Sequence, residues 1–249
     1  MGRRSTRQAE RAFVVEGAKV LREALAAGVP VEAVYVARPL DEADADAVDA
    51  AFEAGARVFE LAPGVMERVA DTVAPQPVIA VVPYVDVPLD ALRQASFLIV
   101  CVDVRDPGNA GTVLRSAEAA GADGVLCCDG SVDVYNPKTV RASAGALFHV
   151  PVVVGGEAVG VLEALGDWGV RRLGTVARGG HDYTSVDLCR PTAVVLGNEA
   201  NGLPEEVSAH LDDEVTIPMA GRSESLNVGM AAAVLSFEAA RQRRLAGLS

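Results

Sequence analysis

Segments that alternate between strand-like and helical patterns predict an α/β fold with a parallel sheet. Residues 96–104, SFLIVCVDV, are continuously apolar, as in a strand that is buried on both faces of such a sheet. Helical patterns follow this run and the later strand-like segments, which is typical of a sheet covered by helices on both sides. Pro83 and Pro88 mark a linker that separates a smaller α/β unit at the start of the chain. We therefore predict two domains, residues 1–88 and 89–249.

The first domain is predicted from short segments with changing periodicity. Ala18, Leu21 and Ala24 recur at helical spacing, and Gly28 ends the run. The predicted elements are a helix over 12–29, a strand over 31–37, an acidic helix over 41–54, a strand over 56–61, a short helix over 63–73 and a strand over 77–85. No residues in this domain have the spacing of a catalytic set.

The second domain continues the alternation to the end of the chain. Strands are predicted over 96–104, 122–129, 149–155, 170–177, 191–197 and 214–219, and helices over 112–121, 136–147, 157–169 and 228–240, with a short helix before the last strand. Asn136 and Asn227 are placed as N-caps, and Pro137 stands at a first helical position. Polar, glycine-rich loops at 105–111, 197–203 and 220–227 follow strands. Ligands bind at such strand ends in parallel sheets.

Composition limits the class of protein. Half of the 249 residues are apolar, but no apolar run approaches the ~20 residues of a membrane-spanning helix. The charged start, MGRRSTRQAERAF, lacks the apolar core of a secretory signal. The four cysteines have no CxxC spacing, which predicts free buried thiols in a reducing compartment. We expect a soluble, cytosolic protein with no membrane or metal partner.

The charge distribution qualifies a formal net charge of −12, which by itself argues against a nucleic-acid partner. Residues 1–22 hold six basic residues against two acids. Only Lys19 and Lys138 are lysines, so nearly every cation is a guanidinium suited to phosphate. The alternative for the basic cluster is a frayed, solvated tail.

Common ligand and catalytic motifs are missing. No GxGxxG follows the first strand and no GxxxxGK[ST] occurs, although a metabolic enzyme that binds a nucleotide stays an alternative. The three histidines are scattered, without the ligand spacing of a metal site. A serine triad would need a GxSxG elbow, which is absent.

The three polar loops have characteristic sequences. They read DVRDPGNAGTVLRSAEAAGADGV, VVLGNEANGLP and IPMAGRSESLNVGMAAAV, with YNPKTVRASAGALFHVPV between the first two. In this order they resemble the three motifs of the SpoU, or TrmH-like, branch of the SPOUT RNA ribose methyltransferases, over about residues 96–244. The first 85 residues, with FVVEGAKVLREAL near their start, are similar to the small L30e-like substrate-binding domain of that family.

The resemblance implies a trefoil-knotted, parallel-sheet SPOUT methyltransferase domain preceded by an L30e-like domain. It further implies that S-adenosyl-L-methionine binds in the knot, that the protein is a homodimer, and that it methylates a ribose 2′-hydroxyl of RNA. A site in 23S rRNA is favoured. The alternatives are a tRNA 2′-O-methyltransferase and a non-catalytic RNA-binding or ribosome assembly factor.

The resemblance also assigns cofactor contacts. These are Thr175, Val176, Ala177, Leu196, Gly197, Ile217, Met219, Ser225, Leu226 and Asn227. An adenine needs an apolar slot with backbone hydrogen-bond partners, which these residues would provide. Considered without the resemblance, Ile217, Met219 and Leu226 are core residues.

Catalytic and RNA-binding roles follow from the same motifs. The catalytic candidates are Arg115, Asn109, Glu199, Ser225 and Asn227, and the RNA-binding candidates are Arg115, Lys138, Arg141 and Arg11. The resemblance implies that Arg115, predicted one turn into its helix, activates the hydroxyl with the help of an RNA phosphate. Because a guanidinium is a poor base, we expect it instead to position the ribose through that phosphate and to stabilise the developing alkoxide, and action as a base stays the alternative. The alternative for Arg115 is a surface residue with a carboxylate partner.

The other candidates are given supporting roles. Asn109 would order the first loop or orient Arg115, unless it is simply a helix cap. Glu199 would have a structural and electrostatic role. The alternative is that it is only a favourable partner of a helix dipole. Ser225 and Asn227 match positions that hold the reaction centre in the family.

Overall fold

The computed structural model describes residues 3–69 and 74–248, which pack as two compact units. The first unit joins the chain up to Val85 with Tyr135–His149, and the second joins Asp86–Val134 with the chain from Val150 onward. Thus a segment that the sequence assigned to the second domain packs with the first. The domains 1–88 and 89–249 stay a prediction.

The elements in chain order are as follows. The helices are α1 Arg4–Glu10, α2 Ala18–Ala26, α3 Glu42–Glu53, α4 Met66–Val69, α5 Pro107–Ala119, α6 Pro137–Ser143, α7 Ala158–Asp167, α8 Glu205–Ser208 and α9 Val228–Leu245. The strands are β1 Ala12–Glu16, β2 Ala33–Val36, β3 Arg57–Glu60, β4 Val78–Pro83, β5 Phe97–Cys101, β6 Gly124–Cys127, β7 Val152–Val154, β8 Arg171–Thr175, β9 His181–Asp182, β10 Thr192–Leu196 and β11 Asp213–Thr216. No helix within the described ranges is both long and apolar enough to cross a bilayer.

The first unit contains a four-stranded mixed sheet in the order β1-β4-β2-β3. β4 runs antiparallel to both neighbours, and β2 and β3 are parallel. The helix predicted over 12–29 is wrong at its start, because Ala12–Glu16 is a strand paired with β4. Gly17, at φ +92°, turns the chain so that the helix begins at Ala18.

The basic start of the chain is not a frayed tail where it is described. Arg4–Glu10 is helical and the Arg7 side chain is buried. The acidic helix α3 begins where it was predicted, because the Asp41 side chain accepts a hydrogen bond from the backbone N–H of Asp44 at 2.7 Å. The helix predicted over 63–73 is seen as Met66–Val69, and residues 70–73 lie outside the described residues.

An aromatic cluster holds Tyr135–His149 in the first unit. The rings of Tyr84 and Tyr135 stack with centroids 3.7 Å apart, and Phe13 lies 4.8 Å from Tyr135 and 6.0 Å from Phe148. Phe13 and Tyr135 are fully buried. Asn136 caps α6 as predicted, and its side chain accepts from the Lys138 N–H at 2.9 Å.

The second unit contains a parallel seven-stranded sheet in the order β7-β6-β5-β10-β8-β11-β9, which confirms the predicted parallel sheet. Its central strands β5 and β10 are buried along their whole length. The sequence missed β9, whose two residues carry no strand pattern. Because the strands are parallel, β5, β8, β10 and β11 all end at one edge.

The helix after β5 begins at Pro107, five residues earlier than predicted. Residues 107–111 of the predicted loop form the start of α5, because Pro107 occupies its first position and Asp106 caps it, accepting from the Asn109 N–H at 2.8 Å. The predicted N-cap of the last helix, Asn227, is confirmed by its bond from the Met230 N–H at 3.2 Å.

Helices α5 and α9 pack closely on the sheet. A Cβ at Gly229 would lie 2.9 Å from Cβ of Thr112, so the two backbones approach too closely for any larger residue there. Val113 and Ala117 of α5 and Ala232 of α9 are fully buried. This packing fixes the start of both helices beside the strand ends.

The cysteines are free thiols, and Cys101, Cys127 and Cys128 are buried. Burial raises the pKa of the Cys128 thiol to about 12. Cys128 is therefore an unreactive core residue.

Arg243 links α9 to two loops of the second unit. Although only 9% exposed, it donates to the Leu188 carbonyl at 2.9 Å, the Arg190 carbonyl at 3.1 Å, and both Oγ and the carbonyl of Ser96 at 2.8 and 2.6 Å. Its guanidinium also lies over the Phe97 ring, 5.2 Å from the centroid. Desolvation lowers the pKa of this arginine.

Arg243→Met is expected to lower the free energy of unfolding by about 3 kcal/mol, because it leaves buried carbonyls without donors. Urea unfolding followed by circular dichroism measures the change. Arg244→Met, at the exposed neighbouring position, is the control and should change stability by less than about 0.5 kcal/mol. Equal stability of the two variants would contradict this role of Arg243.

Candidate active site

A cavity of about 740 Å³ lies where β8, β10 and β11 end. Eight of the predicted cofactor residues line it, namely Thr175, Val176, Ala177, Gly197, Ile217, Met219, Ser225 and Leu226. Leu196 is instead fully buried within β10, and the Asn227 side chain bonds to Asn109. The loops after three neighbouring strands and the loop before α9 thus meet around one space.

Gly197 shapes the floor of this cavity. The chain leaves β10 at Gly197 and turns back so that Asn198 and Gly202 form an isolated antiparallel bridge. A Cβ at Gly197 would lie 2.5 Å from the backbone carbon of Gly202 and 2.7 Å from the backbone nitrogen of Leu203. Glycine is therefore required by close contact with backbone, which cannot move aside as a flexible side chain could.

Asn198 fixes the second loop to the first. Its Oδ1 accepts from the N–H groups of Ala200 and Asn201 at 2.9 and 3.2 Å. Its Nδ2 donates to the carbonyl of Asp103 at 3.0 Å. Asp103 follows β5 at φ +56° and accepts from Arg105 at 2.7 Å. Sequence reasoning missed Asn198 and Asp103, although an asparagine before the EANG turn is a recognisable turn signal.

A directed hydrogen-bond chain connects all three polar segments. Asn227 Oδ1 accepts from the Met230 N–H, so its Nδ2 is left to donate to Asn109 Oδ1 at 2.5 Å. Asn109 Nδ2 then donates to Glu199 Oε1 at 2.7 Å. The helix cap of α9 thus sets the orientation of both amides, and Asn109 presents a donor to Glu199. The contacts of the Asn109 side chain therefore support its predicted role in ordering the loops.

Arg115 stands in the third turn of α5, because that helix starts at Pro107, so its placement one turn into the helix is wrong. Its side chain is exposed. Among residues 3–69 and 74–248, no hydrogen bond or ion pair to its guanidinium is present, from Asn109 or from a carboxylate. No contact in the described part of the chain therefore supports the alternative, in which Arg115 is a surface residue paired with a carboxylate.

The cavity lining is acidic and apolar. It includes the carboxylates of Glu199, Glu214 and Glu224 beside the apolar side chains of Leu203, Val215, Ile217, Met219, Leu226, Val228 and Leu235. Arg178 is the cation among the described lining residues, and it lies 3.7 Å from Glu224 in an exposed pair. Such a lining favours a ligand with an apolar body and a positive charge. In the described parts of the chain, no group of three His, Cys, Asp or Glu side chains could hold a metal ion.

The remaining predicted RNA-binding residues belong to the first unit. Lys138 is exposed in the first turn of α6. Arg141 lies on the same helix but forms an ion pair with Glu16 at 3.4 Å. Arg11 follows α1, with its guanidinium 5.0 Å from the centre of the Tyr84 ring.

Two protein families match the chain. The SpoU rRNA Methylase family matches residues 96–237, and the MRM3-like substrate binding domain matches residues 1–80. A curated relative is the 23S rRNA (guanosine(2553)-2′-O)-methyltransferase RlmP of Bacillus subtilis (strain 168). It is 32% identical over 225 residues, which cover 90% of this chain and 87% of RlmP.

Solved structures agree in fold over nearly the whole chain. AviRb, a SpoU methyltransferase from Streptomyces viridochromogenes in complex with AdoMet, aligns with a TM-score of 0.88 and 32% identity, over 98% of this chain and 94% of its own. An AdoMet-bound rRNA methyltransferase from Sinorhizobium meliloti aligns with a TM-score of 0.83 and 29% identity, over 98% and 91%. Since the family match spans more than half of the chain and includes the cavity and the Asn227–Asn109–Glu199 chain, this protein belongs to the SpoU rRNA methylase family.

Proposed function

We propose that this protein transfers a methyl group from S-adenosyl-L-methionine to a ribose 2′-hydroxyl of 23S rRNA. The observation that carries the proposal is the hydrogen-bond chain through Asn109, which brings the three family motifs together beside one cavity. The similarity to RlmP, named as a 23S rRNA 2′-O-methyltransferase, supports the substrate. The two AdoMet-bound structures support the cofactor.

The cavity suits the proposed cofactor in volume and in the charge of its lining. Its volume of about 740 Å³ lies within the ~300–1,000 Å³ typical of small-molecule sites. Ile217, Met219 and Leu226 would form the apolar walls for the adenine, and a side chain at Gly197 would intrude on the floor. The lining carboxylates suit the positive sulfonium and ammonium groups. When bound, S-adenosyl-L-methionine supplies an electrophilic methyl group.

Arg115 would act on the substrate ribose. Its guanidinium is exposed on α5, six residues beyond Asn109, and is not engaged by any described side chain. A phosphate next to the target nucleotide would bind to it, which would position the ribose for attack. The same charge would stabilise the oxygen as negative charge develops on it.

The first unit would hold the RNA. The similarity of residues 1–80 to a substrate binding domain supports this role. Lys138 and Arg11 are the residues that we propose to contact the RNA. Arg141 would contribute only if RNA phosphate replaced Glu16 as its partner. A target in 23S rRNA would place the enzyme in the cytoplasm, and a tRNA target is the alternative.

We infer that the protein is a homodimer in which α9 faces its partner, and that the knot implied by the motifs is present. Met230 and Phe237 are 60% and 53% exposed and lie seven residues apart, with Ala233 between them on the same face. An exposed apolar stripe on a helix is typical of a protein interface.

Phe237→Glu is expected to convert the dimer to a monomer, because it places a charge in the apolar interface. Light scattering coupled to size exclusion measures the mass. Leu248→Glu, which changes an exposed apolar residue beyond α9, is the control and should leave the dimer intact. A wild-type protein that runs as a monomer at micromolar concentration would overturn the inference.

Methyl transfer itself tests the proposed function. Purified protein with tritiated S-adenosyl-L-methionine should label 23S rRNA from a strain that lacks this gene, and primer extension should map a single 2′-O-methyl site. Label in tRNA alone would overturn the rRNA target. Absence of label in any RNA, with S-adenosylhomocysteine bound, would instead indicate a non-catalytic RNA-binding factor.

A further inference from the structure

Methylation of a hydroxyl requires a group that takes its proton, and a guanidinium such as that of Arg115 offers N–H donors but no acceptor atom. We propose that Oε2 of Glu199 accepts the proton of the ribose 2′-hydroxyl. The inference rests on the proposed function and gives Glu199 a catalytic role in place of the structural-electrostatic one.

The hydrogen bonds around Glu199 leave one carboxylate oxygen available. Oε1 accepts from Asn109 Nδ2 at 2.7 Å, and the direction of that bond is set by the cap at Asn227. Oε2 accepts no hydrogen bond from any described residue. Asn109 therefore holds the carboxylate at the cavity, while the second oxygen of Glu199 can receive a proton.

Other candidates are less suitable by position. Glu224 forms an ion pair with Arg178 at 3.7 Å, and among the described residues it has no hydrogen bond to the Asn109 chain. Glu214 belongs to β11 and, among the described residues, has no hydrogen bond to the Asn109 chain. The histidines of the second unit, His181 and His210, pair with Asp213 and Glu163 and do not line the cavity. Of the carboxylates in the described part of the chain, Glu199 is the one that lines the cavity and is also linked by hydrogen bonds to the first and third motif segments.

The reaction balances with Glu199 as the acceptor. The 2′-oxygen gives its proton to Glu199 Oε2 and forms a bond to the methyl carbon, whose bond to sulfur breaks with the electron pair left on sulfur. The products are a 2′-O-methylated ribose, S-adenosylhomocysteine and a neutral Glu199. Water then takes the proton from Glu199 and restores the carboxylate.

Glu199→Gln is expected to lower kcat by about 10²–10⁴, the usual contribution of a general base, because the amide keeps the size of the side chain but cannot take a proton. The KM for RNA and the affinity for S-adenosylhomocysteine should stay within a few-fold. Glu199→Asp should retain intermediate activity, since the carboxylate is present but set back. Glu205→Gln, an exposed neighbour in α8, is the matched control and should have wild-type kcat.

A binding measurement tests the same contact without turnover. The probe is a short RNA centred on the mapped nucleotide, compared with its 2′-deoxy analogue, with S-adenosylhomocysteine present. Loss of the hydroxyl should weaken binding to the wild type by about 10- to 150-fold, the worth of one hydrogen bond to a charged group. With Glu199→Ala, the two RNAs should bind equally.

The outcomes separate this inference from the proposed function. A wild-type protein that neither methylates RNA nor binds S-adenosylhomocysteine would refute both. A wild-type protein that methylates RNA, with Glu199→Gln at full kcat, would refute the role of Glu199 alone. Should Glu199→Gln fail to fold, the comparison of the two RNAs on the wild-type protein decides the matter. Equal binding of the RNA and its 2′-deoxy analogue to the wild type would overturn the inference.

Discussion

Arg115→Ala is expected to abolish methyl transfer while the affinity for S-adenosylhomocysteine stays within a few-fold of the wild type. The guanidinium does not line the cavity, so the cofactor loses no direct contact. The reacting ribose, however, would lose both its phosphate anchor and the charge that stabilises the developing alkoxide. Removing one such electrostatic contact costs about 10²–10³ in kcat, and the loss of positioning adds to this.

Single-turnover methylation and calorimetric titration with S-adenosylhomocysteine measure the two effects separately. Glu118→Ala changes the next exposed position of α5 and should leave both values unchanged. Arg115→Lys should recover part of the rate, because an ammonium retains the charge but not the fork that binds phosphate. Turnover by Arg115→Ala equal to that of the wild type would refute the role.

Sequence patterns predicted most of this fold because its strands are short apolar runs and its helices carry strong end signals. Asn136 and Asn227 were recognisable as caps from their position before helical segments. The start of the chain was harder to interpret, because Phe13 and Val15 are apolar residues that suit a helix as well as a strand. Only pairing with β4, a contact distant in sequence, makes Ala12–Glu16 a strand.

The start of α5 shows the same limit at the candidate site. DPGNAG is rich in glycine, which favours a loop, yet Asp106 and Pro107 are typical of a helix N-terminus. The difference moved Arg115 from the first turn to the third. It also placed Asn109 in the first turn, from which its amide reaches Glu199 and Asn227.

Contacts between distant segments could not be predicted from spacing. The motifs indicated that three loops converge, but not that one amide joins them, since Asn109 and Glu199 are 90 residues apart and Asn109 and Asn227 are 118 apart. Likewise, Tyr135–His149 packs with the first unit through aromatic contacts that have no local periodicity. Tertiary packing, which periodicity does not encode, decides both cases.

The net charge of −12 is compatible with an RNA substrate because the two ligands make opposite demands. The cofactor carries positive charge at its sulfonium, and carboxylates such as Glu199 and Glu214 line its cavity. RNA needs cations, and Arg115 and Lys138 are exposed outside that lining. Acidic residues around the cofactor therefore need not repel RNA, because the RNA would contact guanidinium and ammonium groups outside the cavity. The salt dependence of RNA binding should reflect the small number of these contacts.

Gly197→Ala is expected to lower the affinity for S-adenosylhomocysteine at least tenfold. Its methyl group would lie 2.5 Å from the Gly202 carbon and 2.6 Å from the Gly202 oxygen, both backbone atoms. Relief of this contact requires the Asn198–Gly202 bridge to open, and Glu199 and the cavity floor move with it. Overpacking of this kind costs about 1–3 kcal/mol, so a comparable loss of stability should accompany the loss of affinity.

Gly221→Ala is the matched control, since it adds the same methyl group to the third motif segment. A Cβ at Gly221 would meet no atom within 4 Å, and its backbone does not adopt the positive φ that disfavours alanine. Calorimetric titration should therefore give Gly221→Ala an affinity within about twofold of the wild type. The tenfold loss expected for Gly197→Ala corresponds to ~1.4 kcal/mol of binding free energy, so the two variants are readily distinguished. If Gly197→Ala bound the ligand as tightly as Gly221→Ala, the cofactor could not occupy the space that the turn after β10 encloses, and the cavity assigned to it here would be the wrong one.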